Sequence, residues 1–337
     1  MKVLYEIMAK ESVCGPWGGR LSMSRDYRQV LAGLGSGLLV TDGGLETTLI
    51  FQEGIELPHF AAFPLLDSEQ GRKTLRRYYD SYASAARRSG AGCILDTPTF
   101  RASPEWAAKV GYDRPRLERA IRAAVAFVRE VRRDWETPSM PIVVNGGIGP
   151  RGDGYSGADS MDAKTAEDFH GPQVRLYGEE GADLVTAQTM THIGEAIGIA
   201  QAAARAGIPS VVSFTVETDG RLPDGTNLHD AIMATDTATG GAPAHYMVNC
   251  AHPSHLGSAL EASGRWIERL RGIRANPSPK SHAELNESTT LEAGDPDELA
   301  VLLRDMRTRH RHFSILGGCC GSDHRHAEKI GLVCQLV

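Results

Sequence analysis

From residue 37 onward the chain alternates short apolar runs with longer segments of helical period. Runs at Gly37–Thr41, Gly92–Asp96, Ile142–Asn145, Leu184–Gln188, Ser210–Phe214, Tyr246–Asn249, Gly272–Ala275 and Phe313–Leu316 predict eight strands. Helical periodicity predicts eight helices between and after them, at Gly71–Ser89, Arg116–Asp134, Lys164–Gly181, His192–Ala206, Asn227–Thr235, Pro253–Arg271, Asp295–His310 and His324–Leu332. Gly90, Gly181 and Gly207 stand where a helix end favours a left-handed residue. Alternation of this kind builds βαβ units around a parallel sheet. Eight such pairs point to a closed α/β barrel, the (β/α)8 TIM barrel, rather than to an open doubly wound sheet. The 337 residues fit a single barrel domain at 31–337, preceded by an extension or lid at 1–30 that shows no sustained period. There is no internal repeat.

In such a barrel the site lies where strands end and the following loops begin. Those positions read Asp42-Gly43-Gly44, Asp96-Thr97, Asn145-Gly146-Gly147, Gln188-Thr189, Ser213-Phe214-Thr215, Asn249-Cys250, Asn276 and Gly317-Gly318-Cys319-Cys320-Gly321. Polar and Gly residues concentrate there, although Gly at strand-to-helix turns is also ordinary turn chemistry.

Composition narrows the class. Hydrophobic residues make up 41% and charged residues 23%, enough for a large core without disulfide staples. The net charge of −6 is modest, and the basic run Arg304 to Arg311 reads as a solvated helix face, so nucleic acid is not an expected partner. No apolar stretch reaches the roughly 18 to 20 residues that span a bilayer, and the first residues lack a secretory pattern. The expectation is a cytoplasmic protein without membrane contact, its oligomeric state left open, a homo-oligomer included.

Six cysteines are few for this length, and the adjacency of Cys319 and Cys320 makes a disulfide within that pair strained. In a reducing compartment the six are expected as thiols or metal ligands. Cys93 and Cys334 fit the role of small buried hydrophobes. Cys250, Cys319 and Cys320 do not, because each follows a strand and the pair is flanked by Gly317, Gly318 and Gly321. Three thiolates with an open fourth position form a zinc site suited to chemistry, whereas a structural site would need a fourth protein ligand. The helix predicted after Cys320 would further favour thiolate through its dipole. His252, His255, His324 and His326 are the competing ligands, ranked lower because they fall in or beyond the turns into helices.

Two other motifs carry little. The stretch from Gly147 to Gly152 matches a dinucleotide fingerprint, but Pro150 and the residues to Ser160 do not open a helix. A hydrolase-type zinc barrel would want histidines at the strand ends, and the first strand ends in Asp42-Gly43-Gly44 instead.

These motifs together carry a resemblance. Asp42-Gly43-Gly44, the segment Asp96 to Ser103, the segment Asn145 to Pro150, Ser213 to Val216, Asn249-Cys250 and above all Gly317 to Gly321 make the chain resemble the zinc-dependent homocysteine S-methyltransferases. That family includes betaine-homocysteine and S-methylmethionine-homocysteine methyltransferases, and the likeness runs from about Leu38 to the C-terminus. It implies an enzyme of methionine biosynthesis that holds Zn2+ on Cys250, Cys319 and Cys320. Asp42 matches the aspartate implied to hold the substrate amino group. One departure stands out: where the family carries a glutamate that grips the same group, this chain has Gln188, which accepts a hydrogen bond but lacks the charge.

The implied reaction is methyl transfer from a sulfonium or ammonium donor, namely S-methylmethionine, S-adenosylmethionine or a betaine, to a zinc-bound small-molecule thiol. Homocysteine, giving methionine, is the first acceptor, with Asp42 and Gln188 as catalytic candidates and Gly43, Gly44, Thr97, Asn145 and Ser213 as substrate-binding ones. S-methylmethionine ranks first among donors because no aromatic cage is evident: Tyr78, Tyr79 and Tyr82 sit on a helix as packing residues, while Trp17 and Tyr155 lie in loops placed to cover the site. The alternatives are a different thiol or selenol acceptor, or a zinc-binding, thiol-sensing barrel without turnover.

Overall fold

A computed structural model of the chain describes residues 26–34, 37–156, 160–261, 264–335 and 337. Trp17 and most of the expected extension lie outside the described residues. Eight parallel strands close into a barrel in sequence order: β1 Leu39–Thr41, β2 Gly92–Asp96, β3 Ile142–Ile148, β4 Leu184–Met190, β5 Ser210–Phe214, β6 His245–Ala251, β7 Leu270–Ala275 and β8 Ile315–Gly318. Closure is made by β8 against β1, where Leu39 faces Ile315 on one side and Gly92 of β2 on the other. All eight predicted strands are present, and β2 and β5 have the predicted limits.

Strand residues alternate between two cores, as a parallel sheet buried on both faces requires. Leu39, Ile94, Val143, Leu184, Val211, Met247 and Ile315 point into the barrel at its N-terminal end. Val40, Cys93, Leu95, Val144, Val185, Val212, Val248 and Leu316 point outward onto the helices. Helix α1, Tyr27–Gly33, crosses the expected extension boundary and adds Tyr27, Val30 and Leu34 to the inner cluster. It therefore plugs the mouth opposite the one where β1 to β8 end.

The remaining helices are α2 Leu45–Thr47, α3 Glu69–Ser89, α4 Pro104–Lys109, α5 Arg114–Trp135, α6 Ala163–Glu179, α7 Ile193–Ala206, α8 Leu228–Thr239, α9 Gly257–Glu261, α10 His282–Asn286, α11 Pro296–Arg309 and α12 His324–Cys334. One predicted helix is corrected. Instead of a continuous helix at Pro253–Arg271 there are a 3-10 turn at Pro253–Leu256, the short α9 and a second 3-10 turn at Arg265–Arg269. Gly264, at φ 148, adopts a backbone that a helix does not contain. Among the described residues no helix is long and apolar enough to cross a membrane.

A buried ion pair ties α5 to the barrel. Arg132 Nη1 donates to both Asp183 carboxylate oxygens at 3.0 and 2.7 Å, and the Val144 backbone N–H donates to the same carboxylate at 2.8 Å. Behind the cysteine loop, Asp323 caps α12 and receives hydrogen bonds from Arg325, His326 and Gln52. Burial alone would raise its carboxyl, but the bonds from His326 and Arg325 outweigh that and hold it well below the carboxylate range.

Asp183→Asn removes the buried carboxylate charge that pairs with Arg132 and is expected to cost about 3–5 kcal/mol, read as a lowered urea midpoint; an unchanged midpoint would remove this pair from the fold's supports. Asp323 predicts an acid-side dependence. Its native form binds fewer protons than the unfolded chain, so stability is lost as pH falls below roughly 4. The Asp323→Asn variant should lose less stability than wild type over that interval, and parallel pH profiles would contradict the assignment.

Candidate active site

The three sulfurs meet at the C-terminal mouth. Cys250 is the penultimate residue of β6, while Cys319 and Cys320 occupy the turn after β8. Their ligand atoms all lie within 4.8 Å of one another, and they form the one such metal-competent group among the described residues. Cys250 sits at φ 57, a left-handed backbone unusual for a side-chain-bearing residue, as does Thr189 in β4 at φ 57. Close backbone approach explains the neighbouring glycine: a Cβ on Gly44 would come within 2.9 Å of the Cys319 carbonyl oxygen and 3.1 Å of Cys320 Cα.

One expectation about these cysteines needs correction. Cys250 and Cys319 are joined as a disulfide here, with Cα atoms 5.3 Å apart, and Cys320 is a free thiol. The convergence that makes a ligand set also brings these two sulfurs within bonding reach. Helix α12 begins at His324 and its N-terminus is capped by Asp323; burial raises the Cys320 thiol, opposed by the Tyr155 hydroxyl, which donates to Cys320 Sγ at 3.6 Å.

The donor set fits a thiophilic metal. Asn249 is the organiser: its Nδ2 reaches Cys250 Sγ at 3.2 Å and Cys319 Sγ at 3.8 Å, and its Oδ1 accepts from Ser213 Oγ at 2.6 Å and from the Thr189 backbone at 2.9 Å. Amide N–H groups aimed at sulfur favour the thiolate form that binds zinc. The four histidines first considered turn elsewhere. His252 caps Ser254, His255 meets the Pro279 carbonyl, His326 meets Asp323 and the Ala293 carbonyl, and neither they nor His324 joins the sulfur group.

A cavity of about 370 Å³ opens onto the sulfurs. Asp42, Gly43, Gly44, Thr97 and Gln188 line it as the sequence suggested. Asn145 and Ser213 do not; both are buried one layer beneath, bonded to Asp96 and to Asn249 respectively. Tyr155 does cover the site, stacked on His282 with ring centroids 4.2 Å apart. Tyr78 and Tyr79 pack behind it and hold the Gly43 and Asp96 carbonyls at 3.1 and 2.7 Å.

The largest surprise is Arg274. From β7 its guanidinium reaches across the barrel, with Nη2 on Asp42 Oδ1 at 3.0 Å and on the Asp42 carbonyl at 3.1 Å, and Nη1 on Asp96 Oδ2. Asp96 also accepts from Asn145 and from Gln188 Nε2, and Asp42 Oδ2 accepts from the Asp96 backbone at 3.2 Å. Burial and the neighbouring Asp96 raise the Asp42 carboxyl, while Arg274 opposes them. The sequence signal was available: Leu270 to Ala275 is an apolar run interrupted by arginine at a strand interior. Four further charged residues on the wall were also missed: Glu46, Arg101, Asp153 and Glu292. Arg101 follows β2, and Glu46 lies on α2, where burial pushes its carboxyl up to about 7.

Comparison with known proteins agrees with this geometry. Residues 39–333 match the family model described as homocysteine S-methyltransferase. The chain is 26% identical over 251 residues to the homocysteine S-methyltransferase of Escherichia coli K12, covering 69% of this chain and 76% of that one. It is 25% identical over 313 residues to a selenocysteine Se-methyltransferase of Brassica oleracea var. italica, covering 84% and 85%. In fold it resembles the metallated form of the homocysteine methyltransferase MmuM from Escherichia coli, with a TM-score of 0.70 at 21% identity over 91% of this chain and 99% of that one.

Removing Arg274 should expose the charge problem it solves. Arg274→Met leaves two buried carboxylates without a cation, and we expect a loss of about 3–5 kcal/mol in denaturant unfolding. The double variant with Asp96→Asn should recover part of that loss. If the double variant is as unstable as the single one, the network is not what the arginine supports.

Proposed function

The chain belongs to the homocysteine S-methyltransferase family, and from that premise we propose that it transfers a methyl group from an onium donor to the thiol of homocysteine, giving methionine. The observation that carries this reading is the set of three sulfurs within 4.8 Å on the wall of one cavity. We assign the resident metal as zinc, held by Cys250, Cys319 and Cys320 once the disulfide is reduced, because three thiolates with a free fourth position are its characteristic catalytic set. What zinc supplies when bound is a lower pKa for the acceptor thiol, so that the sulfur is presented as thiolate at neutral pH.

The chain's own residues do the rest. Asn249 orients two of the cysteine sulfurs, and Tyr155 touches the third. Phe51, Phe60, Phe100 and Tyr155 give the cavity aromatic walls, which attract the cationic head of a sulfonium or quaternary ammonium donor and exclude water. In the transfer the acceptor sulfur forms a bond to the methyl carbon as the donor's bond to it breaks; the electron pair goes to the donor, which leaves neutral. Asp42, Gln188 and Thr97 frame the cavity floor and fix the in-line geometry that such a displacement needs. A second acceptor, a selenol, is favoured by one observation: the Brassica relative is named a selenocysteine Se-methyltransferase.

The test is zinc content and zinc-edge absorption of reduced protein, alongside methionine formation from S-methylmethionine, S-adenosylmethionine and betaine. We expect one zinc per chain on three sulfurs, a fourth sulfur on adding homocysteine, and loss of both zinc and turnover in Cys250→Ala. Tight zinc without turnover of any donor would favour the thiol-sensing barrel, and zinc that does not bind reduced protein would overturn the proposal.

A further inference from the structure

The resemblance places the substrate amino group on Asp42 and on the residue at position 188, yet the structure has already used these groups. Asp42 and Asp96 share the Arg274 guanidinium, and Gln188 spends its Nε2 on Asp96. An ammonium arriving there meets carboxylates whose charge is partly neutralised and whose lone pairs are engaged. The amino-acid end of a substrate therefore needs another receptor in the cavity.

The wall offers an unspent pair. Glu46 and Arg101 both line the cavity with Cys319 and Cys320, and among the described residues neither makes an ion pair. Each feels the other's charge across the space; Glu46 acts electrostatically on Cys320, and Arg101 feels Asp153, also on the wall, ahead of Glu46, with Cys320 after them. Arg101 is held in place: its Nη1 donates to the Gly152 carbonyl at 2.8 Å and its guanidinium lies 4.1 Å from the Trp106 ring centroid. Its buried Nε has no hydrogen-bond partner. Glu46 stands on α2, whose last residue meets the cysteine turn, the Gly321 backbone donating to Thr47 Oγ1 at 3.3 Å. A carboxylate and a guanidinium, fixed beside the sulfurs but not neutralising one another directly, match the ammonium and carboxylate of an α-amino acid.

We propose that Glu46 and Arg101 form the receptor for the zwitterionic end of an α-amino-acid substrate, Glu46 taking the ammonium and Arg101 the carboxylate. This rests on the methyltransferase reading for its location and sets specificity within it. The same zwitterion is carried by homocysteine and by an S-methylated amino-acid donor, so the two sources must be separated by experiment.

Calorimetric binding to reduced, zinc-loaded protein does so without requiring turnover. The thiol ligands are homocysteine, its deamino analogue mercaptobutanoate and its decarboxylated analogue aminopropanethiol. Glu46→Gln should weaken homocysteine and aminopropanethiol by about tenfold to a hundredfold and leave mercaptobutanoate unchanged. Arg101→Gln should weaken homocysteine and mercaptobutanoate and spare aminopropanethiol. If the losses fall on S-methylmethionine and not on homocysteine, the receptor serves the donor. Equal losses for all three thiols, or none for any ligand, overturn the proposal, with bound zinc in each variant reporting an intact site. Methyl transfer by wild type, assayed in parallel, separates the two readings. Charge-selective losses without turnover would sink the transferase function and keep the receptor; turnover without selective losses would do the reverse.

Discussion

Closure of β8 onto β1 is the constraint on which the site depends. Cys319 and Cys320 leave β8, Asp42 leaves β1 and Cys250 lies in β6 next to its last residue, so only a closed ring brings all of them to one mouth. The register fixes their heights: Arg274 pairs with Gly317, and Ala275 with Gly318, which sets the cysteine turn level with the end of β7. Glycine there is a matter of space, since a Cβ on Gly317 would lie 2.0 Å from Thr41 Oγ1 of β1. The inner apolar layer and α1 fill the opposite end, so the barrel is solid beneath a single polar mouth.

Beneath the cavity, charge is arranged before any substrate arrives. Two carboxylates, one just after β1 and one at the end of β2, and one guanidinium from β7 are buried together, a costly arrangement that persists because their hydrogen bonds are nearly all made. Its consequence is chemical. The charged groups nearest the strand ends hold one another, and recognition passes to Glu46 and Arg101 on the segments above. The glutamine at 188 fits this scheme, because a donor amide there satisfies Asp96 where a second carboxylate would repel it.

The sulfur site shows a similar division of labour. The cysteines supply the sulfurs, but Asn249 links them to Ser213 and Thr189 and so ties their orientation to β4 and β5. Asn145 plays the same part for Asp96, joined in turn to Thr186. Residues expected to touch substrate thus lie one layer deeper, behind groups that line the cavity.

The sequence by itself determined the eight-fold alternation of strand and helix, the mouth at which the site opens, and the trio Cys250, Cys319 and Cys320. These were legible because alternation, helix period and a vicinal cysteine pair between glycines are local signals. It also showed that residue 188 carries no charge, without showing why. Tertiary structure alone decided the rest: that Arg274 crosses the barrel to Asp42 and Asp96, that Asn145 and Ser213 lie behind the cavity wall, and that α1 closes the far mouth. It also replaced a helix expected before β7 with turns. Contacts between residues 178 and 232 positions apart in sequence leave no periodic trace, since they arise from which strands the closed ring places opposite one another.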